Sequence, residues 1–195
     1  MSLALPPAPA PVRPRTLLVG TAMACVAGTA LLGSMLAFYL SQRDAQLETG
    51  VAWLPTGVKI PEVATNIMLA TMLAASVMAR WAVWAMKRSD RQSTYIALGL
   101  TTIFGIAVLN AQGYTWINMK MTVDNSKYAV LVYSITGTFF AMLIGACVAT
   151  ALLAFRTLGG RYSTRDTEGL SAASLLWDFL LVAYAAMWLV IYVVK

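Results

Sequence analysis

What most constrains this chain is where it places no charge. No charged residue occurs from Thr16 to Ser41, and apolar stretches of similar length cover about Pro61–Met86, Ser93–Ile117, Tyr128–Phe155 and Ser171–Val194. Each exceeds the ~20 residues a helix needs to cross a hydrocarbon core at ~1.5 Å per residue. Inside a bilayer a spanning segment must satisfy its own backbone hydrogen bonds, which a helix does and an open strand does not. The expected fold class is therefore all-α: an integral membrane bundle of five transmembrane helices over residues 16–195. Pro61 suits the start of the second helix, where a missing N–H costs nothing. The first stretch is too long for a signal-peptide core and lacks a convincing cleavage site. Ahead of it, residues 1–15 hold five prolines and read as an extended or disordered tail.

Composition excludes the soluble alternatives. Of 195 residues, 59% are hydrophobic and 11% charged, against roughly a quarter charged in soluble domains, and the mean hydropathy is +0.72. Histidine is absent, and the two cysteines, Cys25 and Cys147, lie apart in apolar stretches. Haem and copper are held mostly by His, Cys or Met, so no cofactor or metal site is expected in this chain. The eleven methionines are scattered and suit core filling. The net charge of +6 needs no nucleic-acid partner, because membrane proteins retain Lys and Arg on their cytoplasmic side.

That rule also orients the bundle. With a cytoplasmic N-terminus, the inner side carries nine basic residues (Arg13, Arg15, Arg80, Lys87, Arg88, Arg91, Arg156, Arg161, Arg165) and the outer side five (Arg43, Lys59, Lys120, Lys127, Lys195). The count favours N-in and C-out. Gly20, Ala24 and Gly28 recur at intervals of four, as do Gly137, Ala141, Gly145 and Ala149. Such stripes let helix backbones approach closely, and the expectation is packing within the bundle. No internal repeat supports a transporter built on inverted halves.

The usual catalytic signatures are missing. There is no Walker loop, HExxH helix, GxSxG elbow or CxxC pair, and without His there is no imidazole base. No catalytic residue is assigned. Asp44, Glu48, Asp90, Asp124, Asp166 and Glu168 read as solvated loop acids, and Glu62 sits at the mouth of the second span. Two intramembrane charges remain, Arg80 and Asp178. Each lies seven residues from the same end of its span, at Lys87 and Ser171, hence at a depth of ~10 Å. A lone charge in hydrocarbon costs ~2.5–3.5 kcal/mol on insertion scales, so Arg80 and Asp178 are expected to meet. The competing reading has Arg80 snorkelling alone and Asp178 protonated or bonded to another subunit.

Several phrases together resemble one family, subunit III of the haem–copper (cytochrome c or quinol) oxidases, in its five-helix bacterial form. "GSMLAFYL", from Gly33, is similar to a G-x-x-x-A-F-Y phrase. "WLPTGVKIPEVATN" resembles W-P-P-T-G followed by E-V-P and Asn-Thr, with Trp53, Pro55, Thr56, Gly57, Glu62, Val63 and Asn66 matching and the Glu-to-Asn spacing one residue short. "FGIAVLNAQ" keeps a Gly and a Gln seven apart, Gly105 and Gln112. "ITGTFFAMLIG" keeps Gly137 and Gly145 of T-G-x-H-G-L-H-V-x-x-G, and "WDFLL" keeps Trp177 and Phe179 of W-H-F-V-D. The departures are systematic. Arg80 and Trp81 stand where two histidines are usual, Phe139 and Met142 replace two more, Asp178 replaces another, and Leu181 replaces an aspartate. Ala27 and Thr115 fall where glutamates are expected.

The resemblance implies a non-catalytic subunit of a respiratory terminal oxidase in a bacterial cytoplasmic membrane. In that family, subunit III packs beside subunit I, holds phospholipid in a cleft, and supports oxygen access and complex stability. Haem and copper are then expected in partner subunits I and II, with bound phospholipid on this chain. Trp81, Lys87 and Arg88 are candidate headgroup contacts on the cytoplasmic side, and Trp53 and Trp116 on the other, where indoles favour the interface. Three other readings stay open: a subunit III-like protein of a nitric oxide reductase, an oxidase assembly factor, and a small membrane transporter.

Overall fold

The computed structural model describes residues 15–55, 57–121, 127–160, 162 and 167–194. The proline tail up to Pro14, Thr56, and the basic residues Arg13, Arg161, Arg165 and Lys195 lie outside the described residues. Five helices, each long and apolar enough to cross a membrane, make up the chain: α1 (Thr16–Glu48), α2 (Glu62–Lys87), α3 (Arg91–Met119), α4 (Lys127–Leu158) and α5 (Glu168–Trp188). A single π-helical turn, Leu189–Val193, prolongs α5. The helices outrun the apolar stretches. α1 continues past Ser41 to Glu48, so Arg43, Asp44 and Glu48 are helical rather than in a loop. Pro61 stands just before α2, at its N-cap.

A short connection keeps α2 and α3 adjacent. The turn between α2 and α3 places Ser89 at a φ of 64°, and Asp90 then caps α3, its carboxylate accepting from the Ser93 amide at 3.0 Å. The Ser93 hydroxyl and amide hold the Asp90 carboxyl below its ordinary pKa, because both bonds favour the charged form. α2 packs mainly against α3 and α5, α4 against α3 and α5, and α1 mainly against α5 and, less, α4. α1 is accordingly the most peripheral helix, with Cys25, Gly28, Leu32 and Tyr39 as its buried residues.

Two charge contacts tie α1 to its parallel neighbour α5. At the start, α1 has no side-chain cap of its own; the Glu168 carboxylate accepts from the amides of Leu17 and Leu18 at 2.7 and 3.0 Å. At the far end, the Arg43 guanidinium donates to the Val194 carbonyl at 3.3 Å. An acid at a helix N-terminus and a base at a C-terminus both complement the helix dipole. Glu168 is thus the first residue of α5 with a fixed task, not a solvated loop acid.

Indoles and hydroxyls link the remaining helices. Trp177 Nε1 (α5) donates to Thr150 Oγ1 (α4) at 2.9 Å, and Trp116 Nε1 (α3) to Thr136 Oγ1 (α4) at 3.0 Å. Each threonine passes its own proton back to a carbonyl four residues earlier, so neither threonine hydroxyl is left unpaired. Tyr184 (α5) donates to the Thr65 carbonyl (α2) at 3.0 Å. Polar links of this kind hold helices together where lipid removes the hydrophobic drive.

Small residues matter at two close approaches. A Cβ on Gly105 would collide with Cys147 Sγ and lie 2.7 Å from Trp177 Cη2; one on Gly28 would lie 2.7 Å from Phe179 Cζ. The stripes noted in the sequence are used differently from expectation. Of the first, only Gly28 is buried, while Gly20 and Ala24 face outward; in the second, Ala141, Gly145 and Ala149 are exposed and Gly137 half-buried. A Cβ at Gly20, Gly137 or Gly145 would meet nothing. Close packing is met at Gly28, the last member of the first stripe, and at Gly105, which belongs to neither.

Candidate functional site

α1 and α2 do not pack on one another, and the space between them is a groove floored by α5. It has a volume of about 660 Å³ and opens outward. Leu18 and Ala22 of α1 form one wall, Val83 and Trp84 of α2 the other, and Ser174 and Leu175 lie on the floor. The charged members are Arg80, Lys87 and Asp178. A largely apolar groove that carries Lys87 at the end of α2 and the Arg80–Asp178 pair about two helical turns deeper has the chemistry of a site for an amphiphile.

The charges are organised by α-helical spacing. Ser76, Arg80, Trp84 and Arg88 follow one another at intervals of four along α2, so they share one face. Arg80 meets Asp178 side-on: Nε lies 3.0 and 3.1 Å from the two carboxylate oxygens and Nη2 lies 2.9 Å from Oδ2. The Ser76 hydroxyl donates a short hydrogen bond to Asp178 Oδ1. Bidentate guanidinium–carboxylate pairing is the strongest arrangement available to two such groups. The Asp178 side chain is mostly covered, at 26% exposure, while the Arg80 side chain, which lines the groove, is 67% exposed. The arrangement therefore neutralises the acid and leaves part of the cation facing the groove. One turn on, the Arg88 guanidinium stacks 3.8 Å from the Trp84 ring centroid, a cation–π contact.

The other interface candidates are dispersed. Lys87 lines the groove, but Trp81 is on the outer surface and Arg88 reaches the groove only through Trp84. Trp116 is half-buried, bonded to Thr136 and packed near Tyr133 and Phe140. Trp53 requires a correction. It is 3% exposed, its indole donates to the Tyr39 hydroxyl at 2.9 Å, and its ring meets Tyr39 and Tyr128 edge-on. It plugs the end of the bundle and faces no headgroups, because its loop folds inward over α1 and α4. Trp84 and Ser76 were not among the sequence candidates; their four-residue spacing from Arg80 was the available signal.

The donor set does not suit a metal or haem. Cys25 and Cys147 are buried and unpaired by a disulfide, and the described residues contain no group of three or more His, Cys, Asp or Glu placed to share an ion. The sequence pattern of cytochrome c oxidase subunit III matches residues 13–195. The chain belongs to the cytochrome c oxidase subunit III family. It is 27% identical to cytochrome c oxidase subunit 3 of Strongylocentrotus purpuratus over 162 residues, covering 80% of this chain and 61% of that one. It is 29% identical to the Drosophila yakuba protein of the same name over 163 residues, covering 80% and 60%. This subunit III family member thus spans about 60% of the length of the curated relatives it matches.

The subunit III motif positions divide between interior and surface. Gly105 and Trp177 pack on each other, Phe179 lies over Gly28, and Gln112 is 1% exposed. Asn66 Oδ1 accepts from Trp188 Nε1 at 2.9 Å, and Glu62 opens α2. Pro55 and Gly57 shape the loop after Trp53, Gly57 with a φ of 95°. Gly33, Gly137 and Gly145 have open space beside them, and Thr56 lies outside the described residues.

Proposed function

We propose that this multi-pass membrane protein is a non-catalytic, subunit III-like component of a respiratory haem–copper terminal oxidase. In this reading it packs beside subunit I of a bacterial cytoplasmic-membrane complex, with haem and copper in subunits I and II. Its own task is to hold phospholipid in the groove between α1 and α2, supporting oxygen access and the durability of the complex. The observation that carries the reading is the subunit III match over residues 13–195, joined to a groove lined by Arg80, Lys87 and Asp178. With the N-terminus cytoplasmic, the groove lies toward the cytoplasmic side, where Lys87, and Arg80 from deeper in, meet a headgroup phosphate. Apolar walls accept acyl chains. Arg80 and Asp178 supply a polar contact between α2 and α5 where imidazoles are usual in the family.

Purification in mild detergent, followed by haem spectroscopy and identification of the proteins in one native-gel band, tests this. Haem, copper and an oxidase subunit I should accompany the chain. Haem accompanied by a nitric oxide reductase catalytic subunit supports the alternative partner. A chain that purifies free of haem and of any redox subunit overturns the proposal.

A further inference from the structure

At the end of the bundle away from the charged groove, four buried side-chain atoms make no hydrogen bond to any described residue. They are Nε2 and Oε1 of Gln112 and the hydroxyls of Tyr128 and Tyr192. These side chains come from α3, α4 and the π turn, and they are 1%, 1% and 4% exposed. They are also neighbours. Tyr192 stands beside Gln112, the rings of Tyr39 and Tyr128 have centroids 6.3 Å apart, and all three tyrosines belong to one packed core cluster. Tyr39 already holds the indole of Trp53. Native proteins seldom strand even one such group, because a buried donor or acceptor without a partner loses its hydration for nothing. Four such atoms at one end of the bundle call for a partner that the described residues do not supply.

The surroundings indicate what that partner is. A surface crevice of about 240 Å³ opens between α2 and the end of α5, lined by Glu62, Thr65, Asn66, Trp188, Tyr192 and Val193. Tyr192 belongs to both the crevice wall and the buried cluster. It is placed there by the π turn, where the Val194 amide reaches back to the Leu189 carbonyl at 2.9 Å; such turns are frequent at functional sites. The amide offers two donors and an acceptor, and each hydroxyl offers one of each. None of the three side chains is charged, and three neutral groups fall short of the oxygen shell a hard cation takes. Water, which bonds two to four polar partners, suits this mixture.

We propose that Gln112, Tyr128 and Tyr192 form an internal hydration site whose ligand is water, supplied through the crevice at Asn66 and Trp188. This inference is independent of the lipid groove and of the catalytic partner. The site joins α3, α4 and α5 through solvent, at the end where Trp53 closes the bundle.

Radiolytic hydroxyl labelling with mass spectrometry tests it on the full chain in the membrane complex with which it purifies. Bound water is the source of the label, so buried side chains beside it react while equally buried dry ones do not. After correction for intrinsic reactivity, Tyr128 and Tyr192 should label on the order of tenfold faster than Phe139, which is 1% exposed. Gln112→Met should bring Tyr128 down toward Phe139. If that variant does not fold, Tyr192→Phe is the substitute, again read at Tyr128, which is not part of the crevice lining. Wild-type Tyr128 and Tyr192 as unreactive as Phe139 overturn the proposal, and so does Tyr128 labelling indifferent to the substitution that folds.

Discussion

Gly105→Ala is the substitution whose outcome the packing determines most directly. The new methyl would sit 2.7 Å from Trp177 Cη2 and closer still to Cys147 Sγ. Carbon atoms in packed interiors prefer about 3.5–4.0 Å, so the indole must retreat by roughly 1 Å. It cannot do so freely, because its Nε1–H is held 2.9 Å from Thr150 Oγ1 and its ring is completely buried. Overpacking of this kind costs about 1–3 kcal/mol, a factor of roughly 5 to 150 in the folding equilibrium. The assay is unfolding in mixed micelles, followed by tryptophan fluorescence and by retention of the chain in its complex. Trp177→Phe removes the ring atoms in the way, so the double variant Gly105→Ala/Trp177→Phe should lose clearly less than the sum of the singles. The coupling should amount to at least ~0.5 kcal/mol, the scale for residues in contact. Strictly additive losses would falsify the claim that Gly105 exists to admit this indole.

Three further outcomes follow from the charged contacts. Asp178→Asn and Arg80→Gln should each lower accumulation of the chain in membranes severalfold, while the double substitution should do less harm than the two effects multiplied, since each single variant strands a charge; quantitative immunoblotting reads this, and independent effects would count against the pair. Glu168→Ala removes the cap from α1 and should cost about 1 kcal/mol, seen as amide exchange at Leu17 and Leu18 roughly fivefold faster with the rest of α1 little changed. The third concerns pH. The Asp90 carboxyl is held below its ordinary value, so its cap is present above about pH 4, the unfolded value, and fades as pH falls through the lower folded value. Asp90→Asn, which caps without titrating, should abolish this acid-side loosening of the α2–α3 turn, as read by amide exchange at Ser93.

Resemblance to a family and the lining of a site were legible to different degrees. Apolar stretches longer than a bilayer's thickness led to five helices because backbone groups have no other recourse in hydrocarbon. Arg80 and Asp178 stood out for a related reason: two lone charges at equal depth are conspicuous in a chain with so few. Trp84 and Ser76 were harder to see, since tryptophan and serine are unexceptional in a span until Arg80 fixes which face they share. Glu168 was misread because a carboxylate at the end of an apolar stretch resembles a solvated loop acid, and its partners, the Leu17 and Leu18 amides, are about 150 residues away.

The sequence by itself determined the helical membrane-spanning class and the number of spans, since both follow from residue type and run length. Only the tertiary structure decided which surfaces face inward. A stripe of small residues is equally consistent with a helix contact and with open space; here Gly137 and Gly145 look out while Gly28 and Gly105 receive aromatic rings. Trp53 could serve a headgroup interface or a core until Tyr39 and Tyr128 closed around it. In lipid both faces of a helix are apolar, so hydropathy cannot tell inside from outside, and packing has to.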